Sequence, residues 1–191
     1  MKELYKIAAK AATEVYSDHM SFGSTGIKVS FGFYKEQYIQ VIAFAGTDEV
    51  LDWFDNLNLT SKKGIKKGAY QAAAKAESLL MKRTGTQMRP YMPTLVTGHS
   101  LGGAAAIAYA KLFGAEWCVA FCPARCLRYW TDRKMPNTTI FIDPDDPVPM
   151  LGRISFGHPV CPIVHMPEDT FGLNVGDHYM GHVNDFIRGL P

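Results

Sequence analysis

The chain has 191 residues, 47% of them hydrophobic and 20% charged, which suits one well-buried core and predicts a single domain over residues 1–191. Twenty Lys and Arg against eighteen Asp and Glu leave a formal charge of +2, too small and too evenly spread for a protein that binds nucleic acid or an acidic membrane. The longest uncharged stretch, Pro90 to Ala110, is interrupted by Pro93, Thr94, Thr97, Gly98, His99 and Ser100, so no transmembrane helix is expected, and the opening MKELYKIAAKAATEVYSD mixes charges into its apolar residues where a secretory signal would not.

A cytoplasmic protein is the expectation that follows. Four cysteines, Cys118, Cys122, Cys126 and Cys161, occur without a CxxC pair and read as reduced, structural thiols.

From the start of the chain, Leu4, Ile7, Ala8, Ala11, Ala12 and Val15 recur at helical spacing with Lys and Glu between them, predicting an amphipathic helix that packs on a sheet. Two β-rich runs, Gly26 to Tyr34 and Tyr38 to Ala45, are separated by Lys35, Glu36 and Gln37 and predict a hairpin. Asp48 to Thr60 has no clean period. The next helix carries Ala69, Ala72, Ala73, Ala76, Leu79 and Leu80 on one face, with Lys82 and Arg83 near its end and Gly85 beyond it. Strand Thr94 to Thr97, helix Leu101 to Phe113, strand Trp117 to Phe121, strand Thr139 to Ile142, strand Pro162 to His165 and a helix from His178 to Arg188 complete the order. Alternating strands and helices predict an α/β fold whose sheet is mainly parallel and covered on both faces.

The strongest chemical signal is Gly98, His99, Ser100, Leu101, Gly102, Gly103, a GxSxG sequence between a β-rich run and an Ala-rich helical one. A strand that turns abruptly into a helix strains the serine backbone, and side chains at either flanking glycine would strike neighbouring main chain. Ser100 Oγ should then stand exposed at a helix N-terminus, where the Leu101 amide can help hold a developing oxyanion. A serine that merely caps the helix is the plain alternative.

Serine needs a base to attack an ester and a carboxylate to orient that base, in the chain order nucleophile, acid, histidine. Asp143, Asp145 and Asp146 follow the Thr139 to Ile142 strand, and all three are eligible; a solvated acidic loop is the alternative. Four histidines follow: His165 inside a short apolar strand, where a core histidine is the commoner outcome; His158 in a turn between Gly157 and Pro159; His178 in a loop position opening the last helix; and His182 one turn on. His178 and His182 at i, i+4 lack the Glu of the zinc-protease pattern, and Pro144 and Pro147 spoil calcium-loop spacing, so neither a metal nor another cofactor is expected.

These residues resemble the class 3 (fungal-type) lipase family of α/β-hydrolases, from about Tyr38 to the C-terminus. GHSLGG is similar to its nucleophile elbow, and VIAFAGTDEVLDWFDNL, Val41 to Leu57, to its strand, oxyanion turn and lid, usually written FRGT and then DW or NW. Lys67, Gly68, Ala69, Tyr70 resembles the family's HxGF helix start. Phe121, Cys122, Pro123, Ala124, Arg125 is similar to FGxPR with Cys122 where glycine is usual, Asp146, Pro147, Val148, Pro149 matches DPVP, and Asp177, His178, Tyr179, Met180 resembles the terminal DHxxY segment. The resemblance implies a triad of Ser100, Asp146 and His178, with Thr47 joining Leu101 in the oxyanion hole. Two departures stand out. The family arginine of FRGT is Ala45, so support of the oxyanion turn must come from packing, and the chain is short for the family and without its secretory apparatus or disulfides, which predicts a compact intracellular member.

The implied activity is hydrolysis of carboxylic esters, lipids or small esters, through an acyl-enzyme; acyl transfer or thioester hydrolysis on the same triad, and a non-catalytic lipid-binding module, are the alternatives. Val50, Leu51, Trp53, Phe54 and Leu57 alternate with acidic residues in Asp48 to Thr60. Such a piece fits a lid over the acyl pocket, with Trp53, Phe54 or Leu57 bordering it and turning to lipid aggregates, and equally an ordinary helix packed over the sheet.

Overall fold

The computed structural model describes residues 1–17, 20–21, 28–34, 38–46, 60–84, 92–150, 153–167 and 180–189. Helix α1 (Lys2–Glu14) buries Leu4, Ile7, Ala8, Ala11 and Ala12, the face that its spacing predicts, and the Val15 amide closes it on the Ala11 carbonyl. Strands β1 (Met20–Ser21), β2 (Lys28–Tyr34) and β3 (Ile39–Ala45) follow. The predicted hairpin is there: β2 and β3 run antiparallel, from Lys28 opposite Ala45 to Tyr34 opposite Ile39. After β4 (Ser61–Lys62) and β5 (Ile65–Lys66), helix α2 (Lys67–Thr84) leads to β6 (Thr94–His99), α3 (Leu101–Phe113) and β7 (Trp117–Phe121). Next come β8 (Leu127–Arg128), β9 (Thr138–Ile142), a single 3-10 turn (Val148–Met150), β10 (Phe156–Gly157), β11 (Ile163–His165) and α4 (Met180–Gly189).

Among the described residues, seven strands make the main sheet in the order β1-β2-β3-β6-β7-β9-β11. From β3 onward each neighbouring pair is parallel, which requires crossovers and leaves both faces under helices. The period of two along each strand sorts the core into two layers. Ile42 and Phe44 of β3, Val96 of β6, Cys118 and Ala120 of β7 and Ile140 of β9 face α2 and α3. Val41, Ala43 and Ala45, Leu95, Val119, Phe121 and Phe141 face α1 and α4. Burying each of the large side chains here contributes roughly 1.5–3 kcal/mol, and the alanines of α2 (Ala69, Ala72, Ala73, Ala76) against Ala104 to Ala108 of α3 let the two helices approach closely. Every residue of α3 from Leu101 to Tyr109 is buried, so that helix is held between the sheet and α2.

One reading of the sequence is corrected. Among the described residues, strand Ile163–His165 sits at the sheet edge with β9 as its one neighbour, and His165 is exposed, not a core histidine. A second, four-stranded antiparallel sheet, β10-β8-β5-β4, is also present; strands of two residues carry no period by which a sequence could reveal them. Its β5 and β8 are joined by the Lys66 amide donating to the Cys126 carbonyl at 2.8 Å and by Ile65 opposite Leu127, and the side chains of Ile65 and Leu127 are buried in the core layer under α2 and α3. Among the described residues, no helix is long and apolar enough to cross a membrane.

Candidate active site

Strands β3, β6, β7 and β9 end side by side, with Phe44 opposite Gly98, His99 opposite Phe121 and Phe121 opposite Phe141. The chain leaves the sheet at that edge through Gly46, Ser100, Cys122 and Asp143, so four loops converge at one place.

Ser100 has φ +58 and ψ −122, the left-handed conformation expected of a nucleophile elbow. Its main chain is fully used: the amide donates to Phe121 at 3.0 Å, and the carbonyl accepts from Ala104 at 3.2 Å and Ala124 at 3.4 Å. Its side chain makes no capping bond to α3, which removes the reading of Ser100 as a helix cap. The elbow closes only on glycine. A Cβ at Gly98 would lie 2.4 Å from the carbonyl carbon and oxygen of Gly102, and one at Gly102 would lie 2.0 Å from the Phe44 carbonyl oxygen. Ser100 is 6% exposed, more enclosed than the sequence suggests, because the β3 turn packs on it: a Cβ at Gly46 would stand 3.2 Å from Ser100 Cβ and 3.3 Å from the Leu101 amide nitrogen. That amide opens α3, at the positive end of the helix dipole.

The end of β3 is held otherwise than packing alone would hold it. Ala45 is fully buried, and the next amide, that of Gly46, donates to the Tyr16 phenol at 3.3 Å, while the same phenol lies 3.0 Å from His99 Nδ1.

Asp143, Asp145 and Asp146 are all buried, Asp146 to 1% exposure, which contradicts a solvated acidic loop. Asp143 accepts from the Asp145 amide at 3.0 Å and Asp146 from the Val148 amide at 2.8 Å, so each carboxylate organises the turn in which it lies. The turn after Asp146 is clamped at the Pro149 carbonyl by Arg125 Nε at 3.0 Å and His158 Nε2 at 3.1 Å. His158 is thus a buried structural group, not a turn residue, and burial, with the Arg125 guanidinium adding to it, lowers its pKa to about 4. Sequence reasoning gave Tyr16 and Arg125 no role; Arg125 stands in a motif that points to it, whereas nothing local marks Tyr16.

Cys122 has φ +42 and is fully buried. A left-handed position explains why glycine is usual there. Burial, reinforced by Asp146, pushes its thiol well up; burial likewise raises Cys118, takes Cys126 to about 12 and Cys161 to about 11. All four are free and protonated at neutral pH, so none is a thiolate nucleophile. Among the described residues, no group of three or more His, Cys, Asp or Glu is placed to hold a metal ion. Thr47, the segment 48–59 with Trp53, Phe54 and Leu57, and His178 lie outside the described residues.

The family model for class 3 lipases matches residues 41–156, more than half of the chain and the portion that carries most of β3, both elbow glycines, Ser100 and Asp146. Among solved structures the chain resembles the Lip2 lipase of Yarrowia lipolytica, with a TM-score of 0.69 and 14% identity over 86% of this chain and 78% of that one. It also resembles the triacylglyceride lipase of Rhizomucor miehei (TM-score 0.69, 15% identity, 94% of this chain and 93% of that one). A third is the triacylglycerol lipase of Penicillium expansum (TM-score 0.62, 16% identity, 82% and 76%). No curated protein matches the chain. At such identities the structures establish the α/β-hydrolase fold, and the family match supplies the rest: with its glycine-locked serine elbow at the carboxyl edge of a parallel sheet, this chain belongs to the class 3 lipases, serine ester hydrolases that act on lipid esters.

Proposed function

We propose that the chain hydrolyses acyl esters such as acylglycerols through an acyl-enzyme formed on Ser100. The observation that carries this reading is the Ser100 elbow, a strained serine with its side chain uncommitted to capping, beside the first amide of α3. In the proposed reaction Ser100 Oγ attacks the ester carbonyl carbon while His178 takes its proton, and Asp146 holds the imidazole. The carbonyl oxygen becomes an oxyanion bound by the amides of Leu101 and Thr47. Collapse expels the alcohol, which takes the proton from His178. Water, activated by the same histidine, then releases the carboxylic acid and restores Ser100.

Residues 1–191 act as one domain in this reading, and 48–60 serves as a lid whose Trp53, Phe54 and Leu57 cover the acyl site in water and turn toward lipid aggregates. Acylglycerol is the substrate proposed because the Rhizomucor miehei and Penicillium expansum proteins are lipases of triacylglycerides.

Ser100→Ala tests the reading. It is expected to abolish labelling by a fluorophosphonate and to lower kcat on p-nitrophenyl esters by about 10⁴-fold or more. Retained labelling with wild-type turnover refutes it.

A further inference from the structure

Helix α1 lies on the sheet face beneath the site and is fastened there. Ala8, Ala12 and Val15 are fully buried, and the Thr97 hydroxyl of β6 donates to the Ala8 carbonyl at 3.3 Å. Just past the helix end, Tyr16 reaches the catalytic edge. Its phenol oxygen accepts the Gly46 amide at 3.3 Å and shares a 3.0 Å hydrogen bond with His99 Nδ1. Gly46 directly precedes Thr47, and His99 directly precedes Ser100. One phenol therefore joins the two loops whose relative position decides whether a carbonyl attacked by Ser100 meets the Leu101 and Thr47 amides together. The neighbouring position offers no substitute, since the side chain of Ala45 is a buried methyl.

On the reading of Ser100 as nucleophile, we propose that Tyr16 is a positioning residue for ester hydrolysis: its bonds to Gly46 and His99 hold the oxyanion turn at a fixed distance from the nucleophile elbow. A glycine peptide at a strand end rotates easily, and rotation at Gly46 would swing the following amide away from the oxyanion. Full charge develops on that oxygen only in the transition state, so the loss should fall on kcat and spare KM.

The test uses the full chain and p-nitrophenyl butyrate, a soluble ester. Tyr16→Phe keeps the ring and removes the oxygen. Its kcat is expected to fall about 10- to 100-fold, less than the loss of an oxyanion donor itself, with KM within about threefold of wild type. Affinity for an alkyl boronic acid, which forms a tetrahedral adduct on the serine, should fall in parallel, a coupling that simple loosening of the fold would not produce. Unchanged kcat and boronate affinity overturn the proposal, as does a loss confined to KM. Should Tyr16→Phe fail to fold, His99→Leu takes its place: it removes the second anchor of the phenol, a loss in kcat and boronate affinity with KM preserved is again expected, and an unchanged kcat overturns the proposal. Fluorophosphonate labelling of the wild type separates the two levels. If the label is not on Ser100, the catalytic reading fails; if it is, and Tyr16→Phe turns over normally, only the role of Tyr16 fails.

Discussion

Adding one methyl group at Gly102 should force the nucleophile elbow and the oxyanion strand apart. The new Cβ would lie 2.0 Å from the Phe44 oxygen, 2.5 Å from the Phe44 carbonyl carbon and 2.7 Å from that of Ala45. All three atoms are main chain of β3, which is paired on one side with β2 and on the other with β6, so no side chain can turn aside to relieve the contact. Carbon and carbonyl oxygen normally approach no closer than about 3.3 Å, and α3 must therefore withdraw by on the order of 1 Å. Overpacking that flexible side chains can absorb costs about 1–3 kcal/mol; against rigid main chain the upper end applies, and at about 2–4 °C per kcal/mol for a chain of this size Tm should fall by about 6–12 °C. The same movement carries the Leu101 amide and Ser100 away from the Gly46 turn, and a misplacement of about 1 Å costs on the order of 100-fold in rate. Gly102→Ala is to be followed by circular dichroism on heating and by kcat on a soluble ester. Gly68→Ala is the control: nothing lies within 4 Å of its added Cβ, and a helical alanine there should leave Tm equal or raise it, by up to about 1 kcal/mol of stability. A Gly102→Ala protein that melts with the wild type and keeps its kcat would refute the reasoning.

Two further outcomes are expected. Burial first, and Arg125 second, lower the pKa of His158 from 6.5 to about 4, so between those values the unfolded chain holds a proton that the folded chain does not. Stability from this group is complete above pH 6.5 and drains away as pH falls toward 4, by about 3 kcal/mol at most. His158→Gln, which keeps a donor for the Pro149 carbonyl, should flatten the stability profile measured by urea unfolding across that window; identical slopes in the two proteins would exclude the assignment. For the proposed lid, Trp53→Glu or Leu57→Glu should lower activity on emulsified long-chain esters more than on soluble short-chain ones, because only the former call on an apolar docking face. Equal loss on both, with a lowered Tm, would identify 48–60 as a fixed structural helix.

What could be read from the sequence was what lies close together along the chain. The alanine and leucine faces of α1 and α2, the β-rich runs of the β2–β3 hairpin and the glycines around Ser100 each signal within a few residues, and each matches the described structure. What depends on distant partners was lost. His165 sits in an apolar run yet is exposed, on a strand that has a neighbour on one side only among the described residues. His158 looks like a turn residue yet is buried, because its ring bonds back to Pro149. Three aspartates in four residues resemble a solvated loop, but all three are buried, and the carboxylates of Asp143 and Asp146 are drawn in to bond amides of their own turns. Tyr16 shows least of all, its partners Gly46 and His99 being 30 and 83 residues away.

The departures of this chain from its family's motifs have a common physical basis in how the site is held. Arg125 and His158 grip the Pro149 carbonyl, Tyr16 takes the Gly46 amide, and Ser100 is fixed through its own amide and carbonyl to Phe121, Ala104 and Ala124. These are bonds from side chains or main chain to main chain, and they fix the path of each loop whatever side chain the loop carries. Alanine at 45 can then stand in the usual place of arginine, because the turn after it is bonded through the next amide. Cysteine at 122 is the harder case, since φ +42 costs a non-glycine residue about 1–3 kcal/mol. Two features offset it: the Cys122 amide donates to the Phe141 carbonyl at 2.8 Å, extending the β7–β9 ladder by one bond, and its thiol is wholly buried next to Asp146. The strain at Cys122 and that at Ser100 both fall immediately after parallel strands of the sheet interior, β7 and β6, where neighbours on either side over-determine the backbone and can hold a conformation that an isolated loop would relax.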